Sequence, residues 1–161
     1  MNNCIVGFSG FVGSNLLQFF NFNNFYNSKN FETAKNKKFD TIFFCGIPAV
    51  KWYANKNPVE DENTFKNIKN ILDTIVCNKF ILISTIDVYH NINLGLNEDS
   101  KILLENHVYG KNRYLFENYV KNRFTDHHII RLPGLFGKGL KKNIIFDLIK
   151  NNDIHKINFN S

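Results

Sequence analysis

Apolar residues in this chain come in short unbroken runs set between segments of helical spacing. Residues 3–8 (NCIVGF), 41–45 (TIFFC), 79–84 (KFILIS) and 128–132 (HIIRL) are near-continuously apolar, the form taken by strands buried on both faces. The last run stops at Pro133-Gly134, a turn signal. Residues 13–20, 57–77, 108–123 and 141–150 instead repeat apolar positions at helical spacing, and Pro58 suits the first turn of the second of these. A weaker strand fits residues 25–28, with a short connection through 33–38 to the next strand. Strand and helix therefore alternate. Parallel strands need crossovers, and helices supply them, so the pattern predicts an α/β fold: a doubly wound parallel sheet in three α/β/α layers.

Composition narrows this without changing it. The 161 residues suit one domain, and 43% hydrophobic with 15% aromatic content is enough for a substantial core. Lys and Arg number 20 against 14 Asp and Glu, a net charge of +6. The enrichment covers Asn, Lys, Ile, Phe and Tyr together, residues with AT-rich codons, so the basicity reflects nucleotide composition as readily as an anionic partner. No nucleic-acid partner is expected. Cys4, Cys45 and Cys77 are an odd number with no CxxC pair, which argues against both a disulfide framework and a zinc site. His127, His128 and His155 have no partner at metal-ligand spacing, so no metal is expected. The first residues lack the basic segment of a signal peptide, and no apolar run nears the roughly 20 residues that cross a bilayer. A cytoplasmic protein with no membrane partner is expected.

The first strand leads into Gly7-Phe8-Ser9-Gly10-Phe11-Val12-Gly13 and then a helix. Gly7 allows a tight turn, Gly10 lets backbone amides of Ser9, Phe11 and Val12 approach an anion, and Gly13 lets the helix pack on the sheet. Such a turn between strand and helix is a phosphate-binding arrangement, with the helix's positive end toward the anion.

The GxxGxxG spacing resembles that of the extended short-chain dehydrogenase/reductase superfamily, the NAD-dependent epimerases and dehydratases. Further motifs agree in order: Asn67 in a helix like that family's NVxGT element, Ser84-Thr85-Ile86-Asp87-Val88-Tyr89 like its SSxxVY stretch, Tyr109-Gly110 like its YGxxK, and residues 131–137 (RLPGLFG) like its RxPxxYGP. The resemblance implies a Rossmann-type fold and an NAD(P)-dependent epimerase or reductase that transfers hydride on a nucleotide sugar. Tyr109 would be the acid/base and Thr85 the hydroxyl that orients the reacting oxygen. Arg113 stands where the family has lysine. Four residues along a helix it shares a face with Tyr109, so it would lower the phenol's pKa and reach a ribose, although a planar guanidinium differs from a compact ammonium. Asp87 alone remains of the acid pair that dehydratases carry, which points to epimerisation or reduction instead of loss of water.

For the nucleotide, Asn27-Ser28-Lys29-Asn30 follows the second strand with no carboxylate until Glu32, which favours NADP over NAD, with Ser28 and Lys29 as candidates for a 2′-phosphate. The resemblance puts Cys45 and Gly46 against the adenosine and implies that Pro133 also binds the cofactor. Residues 1–150 are expected to form the NAD(P)-binding domain, and residues 151–161 a polar tail or the start of a truncated substrate region. The resemblance also implies a homodimer through paired helices. The Arg113 exchange leaves an alternative from another class: a non-catalytic NADP(H)-binding sensor.

Overall fold

Strand pairing follows the apolar runs. The computed structural model describes residues 1–90, 95–137, 139–140 and 144–150. In it β1 (Asn3–Val6), β2 (Asn24–Tyr26), β3 (Lys38–Phe44), β4 (Val76–Thr85) and β5 (His127–Leu132) form one parallel sheet in the order β2-β1-β3-β4-β5. Val6 pairs with Phe44, Phe44 with Leu82, and Ser84 with Arg131. The helices are α1 (Phe11–Leu16), α2 (Lys51–Lys56), α3 (Pro58–Leu72), α4 (Val108–Arg123) and α5 (Ile144–Lys150). This is the expected Rossmann-type α/β architecture. Winding reverses between β1 and β3, because β2 lies on one side of β1 and the later strands on the other. Crossovers diverge at such a point and leave a crevice beyond the carboxyl ends of the strands.

The main core lies on one face of the sheet. Cys4, Val6, Ile42, Phe44, Phe80 and Leu82 pack against Phe65, Ile68 and Leu72 of α3 and Phe116 and Val120 of α4. Phe44 stacks on Phe80 at 5.7 Å between centroids and meets Phe116 at 5.8 Å, contacts worth about 0.5–1.5 kcal/mol each beyond their burial. On the opposite face Ile5 is buried and Phe43 meets Phe20 and Phe22, but Ile81 and Ile83 are half-buried and Ile130 is 44% exposed.

Helix 108–123 has the expected bounds. The helix expected over 57–77 ends at Leu72: Asp73 closes it, Thr74 Oγ1 donates to the Ile71 carbonyl, and Val76 is drawn into β4 opposite Lys38. α1 begins and ends earlier than its apolar spacing suggests, because the chain must return to place Asn23 beside Asn3. α2 was not anticipated; it buries only Ala54, so it carries no apolar period. Part of the segment expected as helix over 141–150, and the whole tail 151–161, lie outside the described residues.

Candidate active site at the sheet switch point

The glycine turn is shaped by backbone crowding. Gly7 leaves β1 at φ +89°, a conformation that favours glycine, and a Cβ there would stand 2.5 Å from the Cys45 carbonyl oxygen. A Cβ on Gly13 would stand 2.2 Å from the Gly7 oxygen, so α1 can approach the turn only without a side chain at that position. Gly10 is the N-cap of α1, and no side chain caps it. Its first-turn amides are left without intrahelical partners and open onto the crevice.

Two cavities flank this turn. One, of about 620 Å³, is lined by Gly10 to Gly13, Cys45, Thr85, Asp87, Tyr109, Arg113 and Pro133 among others. The other, of about 480 Å³, is lined by Asn27, Ser28, Glu32, Lys35, Gly46 and Asn67 among others. The structure thus gathers most of the sequence-derived residues at the switch point. Gly7, Ser9 and Lys29 line neither cavity, and Ser9 and Lys29 are exposed. Asn27 Oδ1 accepts from the Lys29 amide and closes a local turn. Lys35 and Glu32, which pair with each other, stand on that wall instead. It therefore carries both a cation and a carboxylate where the nucleotide ribose was expected.

In the larger cavity Thr85 ends β4 and Asp87 opens the following turn. The Thr85 hydroxyl accepts from the Asp87 amide at 3.1 Å and donates to Asp87 Oδ2 at 3.3 Å. Lys51 of α2 holds Asp87 Oδ1 at 2.6 Å, so the carboxylate already faces a cation. Tyr109 sits in the first turn of α4, and that helix start is fixed from outside. Asn55 of α2 accepts the Tyr109 amide at 2.9 Å, and His107 Nδ1 accepts the Gly110 amide at 2.9 Å. The cap leaves the proton of a neutral His107 on Nε2, which lies 4.0 Å from Asp87 Oδ1. Burial and Lys51 push His107 down, favouring that neutral form. A Cβ on Gly110 would be 2.1 Å from the Asp87 carbonyl oxygen, so the helix start presses directly on the Asp87 turn.

Arg113 departs from expectation. It lines the larger cavity but is 1% exposed and held by its neighbours: Nη1 donates to Asp61 Oδ2 at 2.6 Å and Nη2 to the Pro48 carbonyl at 2.7 Å. Its guanidinium lies over the Tyr109 ring, 3.8 Å from the centroid, and over Phe65 at 5.1 Å. The expected lowering of the Tyr109 phenol does not result. Burial, joined by the Asp87 carboxylate, pushes Tyr109 up and outweighs the charge and hydrogen bond of Arg113, which pull it down. Cys45 has its thiol pushed up to about 12 by burial and is a neutral wall residue.

No protein-family model and no curated protein matches the sequence. Solved structures do match. A dTDP-4-dehydrorhamnose reductase from Clostridium acetobutylicum superimposes with a TM-score of 0.68 at 17% identity, over 94% of this chain and 59% of its own. The two proteins share one fold. RMD from Pseudomonas aeruginosa, solved with NADPH, matches with a TM-score of 0.67 at 16% identity over 88% of this chain and 57% of its own. UDP-glucuronic acid 4-epimerase from Bacillus cereus, solved with NAD, matches at 0.63 with 18% identity, 94% of this chain and 64% of its own. The chain thus spans less than two thirds of the length of each of these proteins.

Sequence reasoning missed Lys51, Asn55 and Asp61. Asp61 reads locally as a first-turn helix acid, and α2 carries no apolar signal at all. Among the described residues no cluster of three or more His, Cys, Asp or Glu is placed to hold a metal ion. No helix among them is long and apolar enough to cross a membrane.

Proposed function

We propose that this chain belongs to the extended short-chain dehydrogenase superfamily and binds NAD(P) across the two cavities, as an epimerase or reductase acting on a nucleotide sugar or related carbonyl substrate. The carrying observation is that a glycine turn without room for side chains separates a cavity walled by Asn27, Ser28, Glu32 and Lys35 from one walled by Thr85, Asp87 and Tyr109. That division fits a dinucleotide: adenosine beside Gly46 and Asn67, diphosphate on the amides of Gly10 to Gly13, and nicotinamide toward Pro133. The neighbours support the reading, since they were solved with NADPH, NAD and NADP, and others with UDP-N-acetylmuramic acid or UDP-glucose.

When bound, the nicotinamide supplies or takes up a hydride. The chain's own groups manage the oxygen. Thr85 hydrogen-bonds and orients it, and the Tyr109 hydroxyl, on the cavity wall beside Arg113, exchanges the proton. With its phenol pushed up, Tyr109 is protonated near neutrality and is suited to donate to a carbonyl oxygen being reduced. Asp87, paired with Lys51, serves as a fixed acceptor for a substrate donor and not as a general acid. Titration with NADPH and NADH, followed by nicotinamide fluorescence, tests the binding reading: a saturable signal is expected, and absence of binding for both nucleotides rejects it.

A second reading has its own observation. Arg113 is bonded to Asp61 and Pro48 and leaves the phenol raised, which suits an NADP(H) sensor that binds without turnover. Turnover of a sugar nucleotide by the native chain, lost in Tyr109→Phe, supports the enzyme. Activity that arises only in Arg113→Lys supports the sensor.

A further inference from the structure

Beneath the reactive cavity lies a buried carboxylate that the chemistry above does not use. Glu117 stands on α4 one turn beyond Arg113 and is fully buried. Its Oε1 accepts from Ser84 Oγ at 2.6 Å and from Arg131 Nε at 3.1 Å, and its Oε2 accepts from Arg131 Nη2 at 2.7 Å. Arg131 Nη1 donates to the Tyr89 hydroxyl at 2.8 Å, which in turn donates to the Asn97 carbonyl at 2.9 Å.

A buried ion pair is no efficient source of stability, because apolar residues of equal volume often serve as well; its geometric demands can instead select one arrangement. The elements it joins here are the three that build the reactive wall. Ser84 and Arg131 are register partners on β4 and β5; Ser84 itself lines the reactive cavity with Thr85 beside it, and Arg131 is followed directly by the cavity residues Leu132 and Pro133. Glu117 shares its helix with Tyr109. One carboxylate therefore holds the mutual spacing of Thr85, Pro133 and Tyr109, whereas no member of the network lines the cavity of Asn27, Ser28 and Glu32.

We propose that Glu117 is a positioning residue which, through Ser84 and Arg131, sets the reactive wall against the nicotinamide end of the cleft and leaves the nucleotide half independent. This rests on the NAD(P) reading above. The test compares NADPH affinity by calorimetry with nicotinamide emission, in the native chain and in Glu117→Gln, Glu117→Asp and Ser84→Ala. Affinity is expected to stay within about threefold of native in all three, since the adenosine and diphosphate contacts are untouched. The emission change on binding is expected to fall by roughly half or more in both Glu117 variants and by less in Ser84→Ala. Glu117→Asp matters because it keeps the charge while withdrawing the carboxylate, so failure of Asp to rescue identifies position as the cause.

Native emission from folded Glu117→Gln and Glu117→Asp overturns the proposal. So does a loss of emission that only tracks loss of affinity and of the unfolding midpoint, the mark of a merely structural role. Should the Glu117 variants not fold, Ser84→Ala decides alone, its emission being expected below native at unchanged affinity. A native chain that binds no NADPH rejects the NAD(P) reading itself, and the inference with it; native binding with unaltered variants rejects the inference only.

Discussion

The two faces of the sheet are built to different standards. On the α3/α4 face, Phe44, Phe80, Leu82 and Phe116 are all fully buried, and even its charges, Glu117 and Arg113, are enclosed and paired. On the α1 face, burial is complete at Ile5 and weakens across β3 and β4 until Ile130 stands 44% exposed. Tyr109 and its supporting groups come from elements of the first face, and Thr85 and Pro133 from strand ends that the same face anchors. Close packing resists small displacements, so a site that needs fixed geometry gains from resting on it.

The largest expected effect is at the buried charge. Asp61→Ala strands Arg113 without its partner and should cost about 3–5 kcal/mol, read as a lowered urea midpoint. Phe116→Ala removes a ring from the centre of the packed face and should cost about 3–4 kcal/mol in the same assay. Phe43→Ala, on the other face, removes a half-buried ring and should cost only about 1–2 kcal/mol. Equal costs for the two Phe variants would break the contrast between the faces. Ile130→Thr should change stability by no more than about 0.5 kcal/mol, and a larger loss would show that this part of the sheet is covered in solution.

A small pH effect sharpens the picture at the start of α4. His107 is pushed below its ordinary value of 6.5, chiefly by burial and then by Lys51, against the opposing pull of Asp87. The unfolded chain therefore binds the proton more readily. The contribution of neutral His107 is full above about 6.5, declines as pH falls through that value, and levels off below the folded one. Protonated Nδ1 also cannot accept the Gly110 amide, so the cap is lost in the same interval. Unfolding midpoints between about pH 5 and 7.5 should show this decline, and His107→Asn, which keeps a cap acceptor that does not titrate, should flatten it.

Much of the site was legible because its signals are local. The turn from Gly7 to Gly13 is dictated by contacts within a few residues and with the adjoining strand end, and the helix over 108–123 carries both an apolar face and Tyr109 one position in from its start. The nucleotide end was less legible. Lys29 was the expected cation, and the cation that lines the cavity there is Lys35, which no local signal marked.

The order of the strands, the parallel sheet and the position of the glycine turn follow from the amino-acid sequence by itself, since they depend on apolar period and on which residues tolerate a tight bend. The fate of Arg113 does not. Spacing along α4 placed it beside Tyr109, and its charge does pull the phenol down, but its ion partner was set by the fold. That partner is Asp61, some fifty residues earlier, brought close only by the packing of α3 on α4. Burial then raises the phenol, because desolvation is a property of everything around a group and cannot be read from its own stretch of chain.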